Sequence, residues 1–228
     1  MIDCSDDILT GLSEQHLLKR PDGFMLHKDI AQPFTALCIA AKTEGIEITL
    51  VSAFRSYQRQ AAIWQAKLAG KRPVYAQDGQ AIDINSLTGK AKLDAVLLYS
   101  ALPGASRHHW GTDLDVYDAA AVPPDYKPQL EPAEYGEDGP FYRLQQWLSA
   151  YAADFGFFLP YREFQGGVAA EPWHISYQPL ASAYLANFNS TLLRQCLTQH
   201  PVAEQQLVLT HLDAIFQRYV ANICLAAP

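Results

Sequence analysis

The sequence predicts an α+β fold, on three observations: the strand-like segments are few and short, helical periodicities are grouped around them, and cap or stop residues close the junctions. The first helix is expected over Lys28 to Glu44, where Phe34, Leu37, Cys38 and Ala41 fall at helical spacing and Gly45 ends the run. Ile46 to Arg55 follows, with Ile48, Thr49, Leu50, Val51 and Phe54, residues that suit a pleated, half-buried ribbon, so a strand ends at Arg55. Ser56 then stands as N-cap of a helix from Tyr57 to Ala69, with Ala61, Ile63, Trp64 and Leu68 as its buried stripe before Gly70.

Lys71 to Gly89 shows no sustained period and is longer than most connections, which suggests a lid or a wall of a site. Ala91 to Leu102 reads as a helix ended by Pro103-Gly104, and Thr112 to Tyr117 as a short strand. The acidic, proline-containing stretch from Ala119 to Gly139 gives a second irregular wall. Phe141 to Phe155 places Leu144, Trp147, Leu148 and Tyr151 on one helical face and stops at Gly156, and Trp173 to Tyr177 reads as a strand. Beyond it the chain is expected to be helical, with Pro201 in a first helical turn and Val208, Leu212, Ile215, Phe216, Tyr219 and Ile223 forming an apolar stripe. The reading is one domain over 1–228, with a motif-bearing core at about 28–180 and a helical C-terminal extension at about 181–228.

Bulk properties exclude several classes of function. Hydrophobic residues make up 49% of the 228 and charged residues 18%, a balance that buries a core rather than leaving the chain disordered. The formal net charge of −7 leaves no basic surface to hold a nucleic-acid backbone. No apolar run reaches the roughly 20 residues of a membrane span, and Met1 to Thr10 is acidic rather than basic-then-apolar. A cytoplasmic location is the expectation for the chain as it stands, and a periplasmic one if a native N-terminal segment had been removed. The four cysteines, Cys4, Cys38, Cys196 and Cys224, are far apart with no C-x-x-C pair, so they read as reduced thiols without a metal or redox role.

The chemistry concentrates in Ser106-Arg-His-His-Trp-Gly-Thr-Asp-Leu-Asp115 and, 56 residues later, in Glu171-Pro-Trp-His-Ile-Ser-Tyr177. Catalytic zinc takes three protein ligands from His and Asp or Glu and leaves a fourth corner for water, and His108, Asp115 and His174 supply such a set. Gly111 lets the chain reverse so that a strand returns Asp115 toward His108. Glu171 precedes Pro172, which holds it extended, near the ion without being forced to ligate it. His109 is the competing ligand, since a shift of one residue exchanges it with His108. His16, His27, His200 and His211 show no ligand spacing.

This constellation resembles the zinc peptidases that include the VanY and VanX D-Ala-D-Ala peptidases, related L,D-carboxypeptidases and phage endolysins, together the LAS-type metallopeptidases. The pattern S-x-H-x-x-G-x-A-x-D falls on Ser106, His108, Gly111 and Asp115, E-x-W-H on Glu171, Trp173 and His174, and an aromatic-Arg element with a later Gln on Phe54, Arg55 and Gln60. The resemblance implies a small antiparallel sheet carrying one zinc ion per chain, flanked by helices with a helical C-terminal extension, as in the Hedgehog signalling domain and the D,D-peptidases. It implies His108, Asp115 and His174 as ligands, Glu171 as general base and then acid, and Arg55 as a catalytic stabiliser of the carbonyl oxygen. Arg55, Gln60 and Ser106 are the candidates for gripping a terminal carboxylate, while Trp110, Trp173 and Tyr177 read as packing around the site, with Trp173 and Tyr177 kept as substrate contacts.

Asp113 departs from the pattern, which usually has a small apolar residue there. Residues two apart on a strand lie on one face about 6.6 Å apart, so Asp113 points with Asp115 and either supports a ligand or meets a cationic group of substrate. The implied substrate is a peptidoglycan stem peptide or D-Ala-terminated precursor, cut by a D,D-carboxypeptidase, an L,D-carboxypeptidase or an endopeptidase. A reading of another class is a non-catalytic zinc module that binds a partner, and the retained Glu171 argues against it, because binding needs no base.

Overall fold

A computed structural model describes residues 2–225. In chain order the elements are α1 (Asp6–Thr10), β1 (Leu17–Lys19), β2 (Met25–His27), α2 (Ala31–Thr43), β3 (Ile48–Ser52), α3 (Tyr57–Leu68), β4 (Val74–Tyr75), β5 (Ala81–Ile82) and α4 (Gly89–Leu97). After a 3-10 turn at Arg107–Trp110 come β6 (Asp113–Asp118), α5 (Pro132–Tyr135), α6 (Tyr142–Tyr151), β7 (Phe157–Phe158) and β8 (His174–Tyr177). Four further helices follow: α7 (Gln178–Asn187), α8 (Ser190–Gln199), α9 (Gln205–Thr210) and α10 (Leu212–Ile215), the last running into a π-helical turn at Phe216–Val220.

The central sheet has the order β3-β6-β8-β7, and every pairing in it is antiparallel. Strand periodicity then sorts the side chains of β6. Leu114 and Val116 enter the main hydrophobic core with Leu50, Ile175 and Phe157, whereas Asp113 and Asp115 share the opposite face with His174 and Ser176, to which β6 is paired in register. All four of these polar residues are buried. A half-solvated sheet would put such a face in water; here other parts of the chain cover it.

Cap chemistry sets the local boundaries. Ser56 accepts the Arg59 amide and starts α3, and Gly156, at φ +80°, closes the turn after α6. Gly111 has φ +67°, and a Cβ there would sit 2.6 Å from Leu17 Cδ2 and 2.9 Å from the His27 nitrogen, so the reversal between His108 and β6 admits only glycine without displacement.

Both irregular segments are ordered by identifiable bonds. Within 71–89 a hairpin pairs β4 with β5 through a turn at Asp78-Gly79, where Gly79 has φ +79°. Within 119–139 the buried Glu134 carboxylate accepts the Tyr126 hydroxyl at 2.7 Å and the amides of Gln129 and Glu131 at 3.0 and 3.2 Å.

Several expectations need correction. Pro201 lies outside helix, and the following helix begins at Gln205. Tyr151 is half exposed rather than core-facing, because α6 turns its stripe of Leu144, Trp147 and Leu148 inward without it. The buried stripe of α3 is Tyr57, Gln60, Trp64 and Leu68. The Trp64 indole donates to the Ala203 carbonyl and the Tyr57 hydroxyl to the His200 carbonyl, which docks the C-terminal helices on this side of α3. Among the described residues no helix is long and apolar enough to cross a membrane.

Candidate metal centre and active site

Three segments meet at the polar face of the sheet: the chain leaving β3, the 3-10 turn at Arg107–Trp110, and the strands β6 and β8. The Arg55 amide donates to the His108 carbonyl at 3.0 Å, tying the first two together. His108 donates from Nδ1 to the Ala53 carbonyl at 2.8 Å, which leaves Nε2 as the ring's acceptor, 3.2 Å from Asp115 Oδ2. His174 is held in the opposite sense: Nε2 donates to Asp113 Oδ1 at 2.9 Å, and Nδ1 faces Asp115 Oδ1 at 3.2 Å.

Three acceptors therefore converge. One donor atom each from His108, Asp115 and His174 lies within 4.8 Å of the others, and Asp115 Oδ1 and His174 Nδ1 are both buried without a hydrogen-bond partner. Two imidazole lone pairs and a carboxylate aimed at one point repel unless a cation lies between them, and a tetrahedral divalent ion with N and O ligands fits the set. Burial alone would lower the pKa of His174, but the hydrogen bond to Asp113 and the neighbouring carboxylates of Asp115 and Glu171 raise it well above its ordinary value. Burial would raise Asp115, yet His108 and His174 hold it well below the usual carboxylate range. The His174 shift expresses the carboxylates gathered around that ring, and the Asp115 shift the two imidazoles that face its carboxylate.

Glu171 borders this point, its carboxylate 3.4 Å from His174 Nδ1. Arg55 Nη2 is 4.0 Å from Asp115 Oδ2. With Ser106 and Trp173 these residues line a cavity of about 530 Å³, walled on one side by the β4–β5 hairpin and on another by residues 129–133. That volume suits a short peptide end.

Not every candidate reaches the cavity. Gln60 is fully buried behind Arg55 and does not line it: Oε1 accepts from Arg55 Nη1 at 2.9 Å and Nε2 donates to the Ala101 carbonyl at 2.6 Å, so Gln60 orients the guanidinium instead of meeting a ligand. Asp113 is likewise consumed, by Arg107 Nε at 2.7 Å, the Thr112 hydroxyl at 2.8 Å and His174, which removes it from substrate contact and makes it the support of a ligand. Tyr177 packs on Phe157 and against Gly156, away from the cavity.

His109 is turned out of the set. Its Nδ1 donates to the Arg55 carbonyl at 2.5 Å and its Nε2 accepts the Gly104 amide at 3.1 Å, so both nitrogens are spent, and burial pushes its pKa down to about 3.

Two participants had little or no signal in the sequence. Arg107 is 3% exposed, pairs with Asp113, donates to Ser176 Oγ at 2.7 Å and stacks over Trp110; its place between Ser106 and His108 was the available clue. Tyr161 lies edge-on to His174, 5.0 Å between ring centroids, and no motif marks it.

The comparisons agree with this geometry. The family model for VanY, D-alanyl-D-alanine carboxypeptidase, matches residues 23–180, which include every residue of the cavity set from Arg55 to His174. An uncharacterized protein of Haemophilus influenzae is 37% identical over 121 residues, spanning 52% of this chain and 92% of its own length. The putative carboxypeptidase YodJ of Bacillus subtilis is 24% identical over 173 residues, spanning 75% of this chain and 52% of its own. Among solved structures, the vancomycin-resistance D,D-pentapeptidase VanY in complex with Zn(II) superposes with a TM-score of 0.52 at 20% identity, covering 86% of this chain and 92% of that one. VanYB in complex with D-alanine-D-alanine gives 0.52 at 22%, covering 81% and 88%. The two structures share the fold, and the family match spans the segments that build the site: the chain belongs to the VanY family of D-alanyl-D-alanine carboxypeptidases.

Proposed function

We propose that the protein is a zinc-dependent carboxypeptidase that releases D-alanine from the C-terminus of peptidoglycan stem peptides or their precursors. The observation that carries this reading is the convergence of His108 Nε2, Asp115 and His174 Nδ1 on one point, with Glu171 beside it and Arg55 in the same cavity. Zinc is the ion that such a nitrogen and oxygen set favours, and it is the ion bound in the VanY structure of like fold.

A zinc ion held there supplies Lewis acidity, polarising a carbonyl and making water nucleophilic near neutral pH. Glu171 takes a proton from the attacking water and delivers it to the leaving amine, since its carboxylate borders the ligand set without sharing its mutual spacing. Arg55 is oriented by Gln60 and Ser52, which take one N–H from each terminal nitrogen, and its remaining donors serve the carbonyl oxygen or a terminal carboxylate. Ser106, buried and uncommitted as a helix cap, adds a hydroxyl to the cavity lining.

The test is cleavage of defined peptides ending in D-Ala, with free and with amidated C-termini, read by mass spectrometry. A charge-assisted hydrogen bond is worth about 1.5 to 3 kcal/mol, so amidation should slow release by roughly tenfold to over a hundredfold. Pentapeptide stems report D,D activity and tetrapeptide stems L,D activity; the D,D assignment is the one proposed. Equal cleavage of amidated and free peptides would move the protein to an endopeptidase.

A further inference from the structure

The cavity holds two cationic side chains that neither the metal set nor the terminal-carboxylate grip uses, Lys67 and Arg72. Lys67 lies in the last turn of α3, one turn beyond Ile63, on the helix face that lines the cavity. It is half-buried and forms no ion pair or side-chain hydrogen bond among the described residues. Burial lowers its pKa to about 8; Glu171 draws it up, while Arg72 and Arg55 push it further down.

Arg55, Lys67 and Arg72 thus line one cavity, beside an Arg107 already paired with Asp113, in a chain whose net charge is −7. Asp78 and Glu131 also contribute to the lining, yet neither pairs with Lys67. A half-buried ammonium with no carboxylate within ion-pair distance has lost part of its hydration, and the Glu171 carboxylate, acting from beyond that distance, compensates only in part. The helix end tolerates this charge without neutralising it. An anionic group on a ligand would supply the missing partner.

We propose that Lys67, assisted by Arg72, forms a second anion-binding subsite that takes a carboxylate of the substrate other than the terminal one. This rests on the carboxypeptidase reading above. Stem peptides carry such carboxylates upstream of the scissile bond, on the γ-linked glutamate and, where the third residue is diaminopimelate, on its side chain. Both present the same chemistry to an ammonium.

Two matched pairs of D-Ala-terminated peptides separate them: one pair with the γ-linked glutamate carboxylate free or amidated, the other with diaminopimelate or lysine at the third position. kcat/KM for D-alanine release is measured for each pair with the parent protein, Lys67→Met and Lys67→Arg. The parent should prefer the acid member of one pair by about tenfold, Lys67→Met should bring that ratio to within about twofold of unity, and Lys67→Arg should keep most of it. The ratio is internal to each protein, so a partial loss of folded material cancels. The pair that responds identifies the carboxylate. Release of D-alanine without any such preference, or a preference that Lys67→Met leaves intact, overturns the subsite alone. Failure to release D-alanine from any peptide overturns the carboxypeptidase reading and the subsite with it.

Discussion

Asp113 and His174 are joined by a hydrogen bond of 2.9 Å, lying diagonally across the β6–β8 ladder, and that bond turns the acceptor nitrogen of His174 toward Asp115. The Asp113 carboxylate is in turn neutralised by Arg107, so one buried pair fixes the tautomer and the angle of a metal ligand. Asp113→Ala should lower zinc affinity by about ten- to a hundredfold. It should also destabilise the fold by about 3 to 5 kcal/mol, because Arg107 is left buried and unpaired. Competition against a chelating dye reads the first and urea denaturation the second; unchanged affinity would leave Asp113 a purely structural acid.

Glu171→Gln removes the proposed base and keeps the proposed ligands. Zinc content by elemental analysis should match the parent, while kcat for D-alanine release should fall by at least about a hundredfold. A variant at the parent rate would take proton transfer away from Glu171.

Arg55→Lys keeps the charge but cannot reproduce a planar fork held by Gln60 and Ser52. kcat/KM should fall by about tenfold or more with zinc content unchanged. Full activity in this variant would make the position a simple point charge.

His16 gives a pH-dependent stability that is separate from catalysis. It is buried beside His27, 5.5 Å between ring centroids, and burial followed by the charge of His27 lowers its pKa from the ordinary 6.5 to about 4. As pH falls below 6.5 the unfolded chain takes up a proton that the folded chain refuses, so stability declines from pH 6.5 and the decline levels off near pH 4. The full effect is at most about 3 kcal/mol. Urea midpoints across this window should slope less for His16→Gln than for the parent, the buried His27 keeping part of the slope; an equal slope in both would assign the effect to other groups.

The convergence of His108, Asp115 and His174, with Glu171 beside them, was legible in the sequence because short spacings carry it: Gly111 dictates the reversal after His108, and Pro172 restrains the chain at Glu171, three residues before β8 begins. α3 was legible for a similar reason, since Ser56 caps it locally. The β1–β2 hairpin was not, because three-residue strands show no period to read. Nor was the fate of individual polar groups. Strand alternation put Asp113 on the face of Asp115, but whether it met substrate or a ligand depended on Arg107, Thr112 and His174 using up its lone pairs. Gln60 matched a motif, yet the bond to the Ala101 carbonyl, 41 residues away, drew it behind Arg55. Lys67 and Arg72 belong to no motif and came to the cavity only through the packing of α3 and the hairpin after it. The sequence by itself determined the chemistry, because ligand identity and local backbone geometry are properties of near neighbours along the chain. Only the tertiary structure decided which polar groups remain free for a ligand, because that depends on hydrogen-bond partners brought together from distant segments.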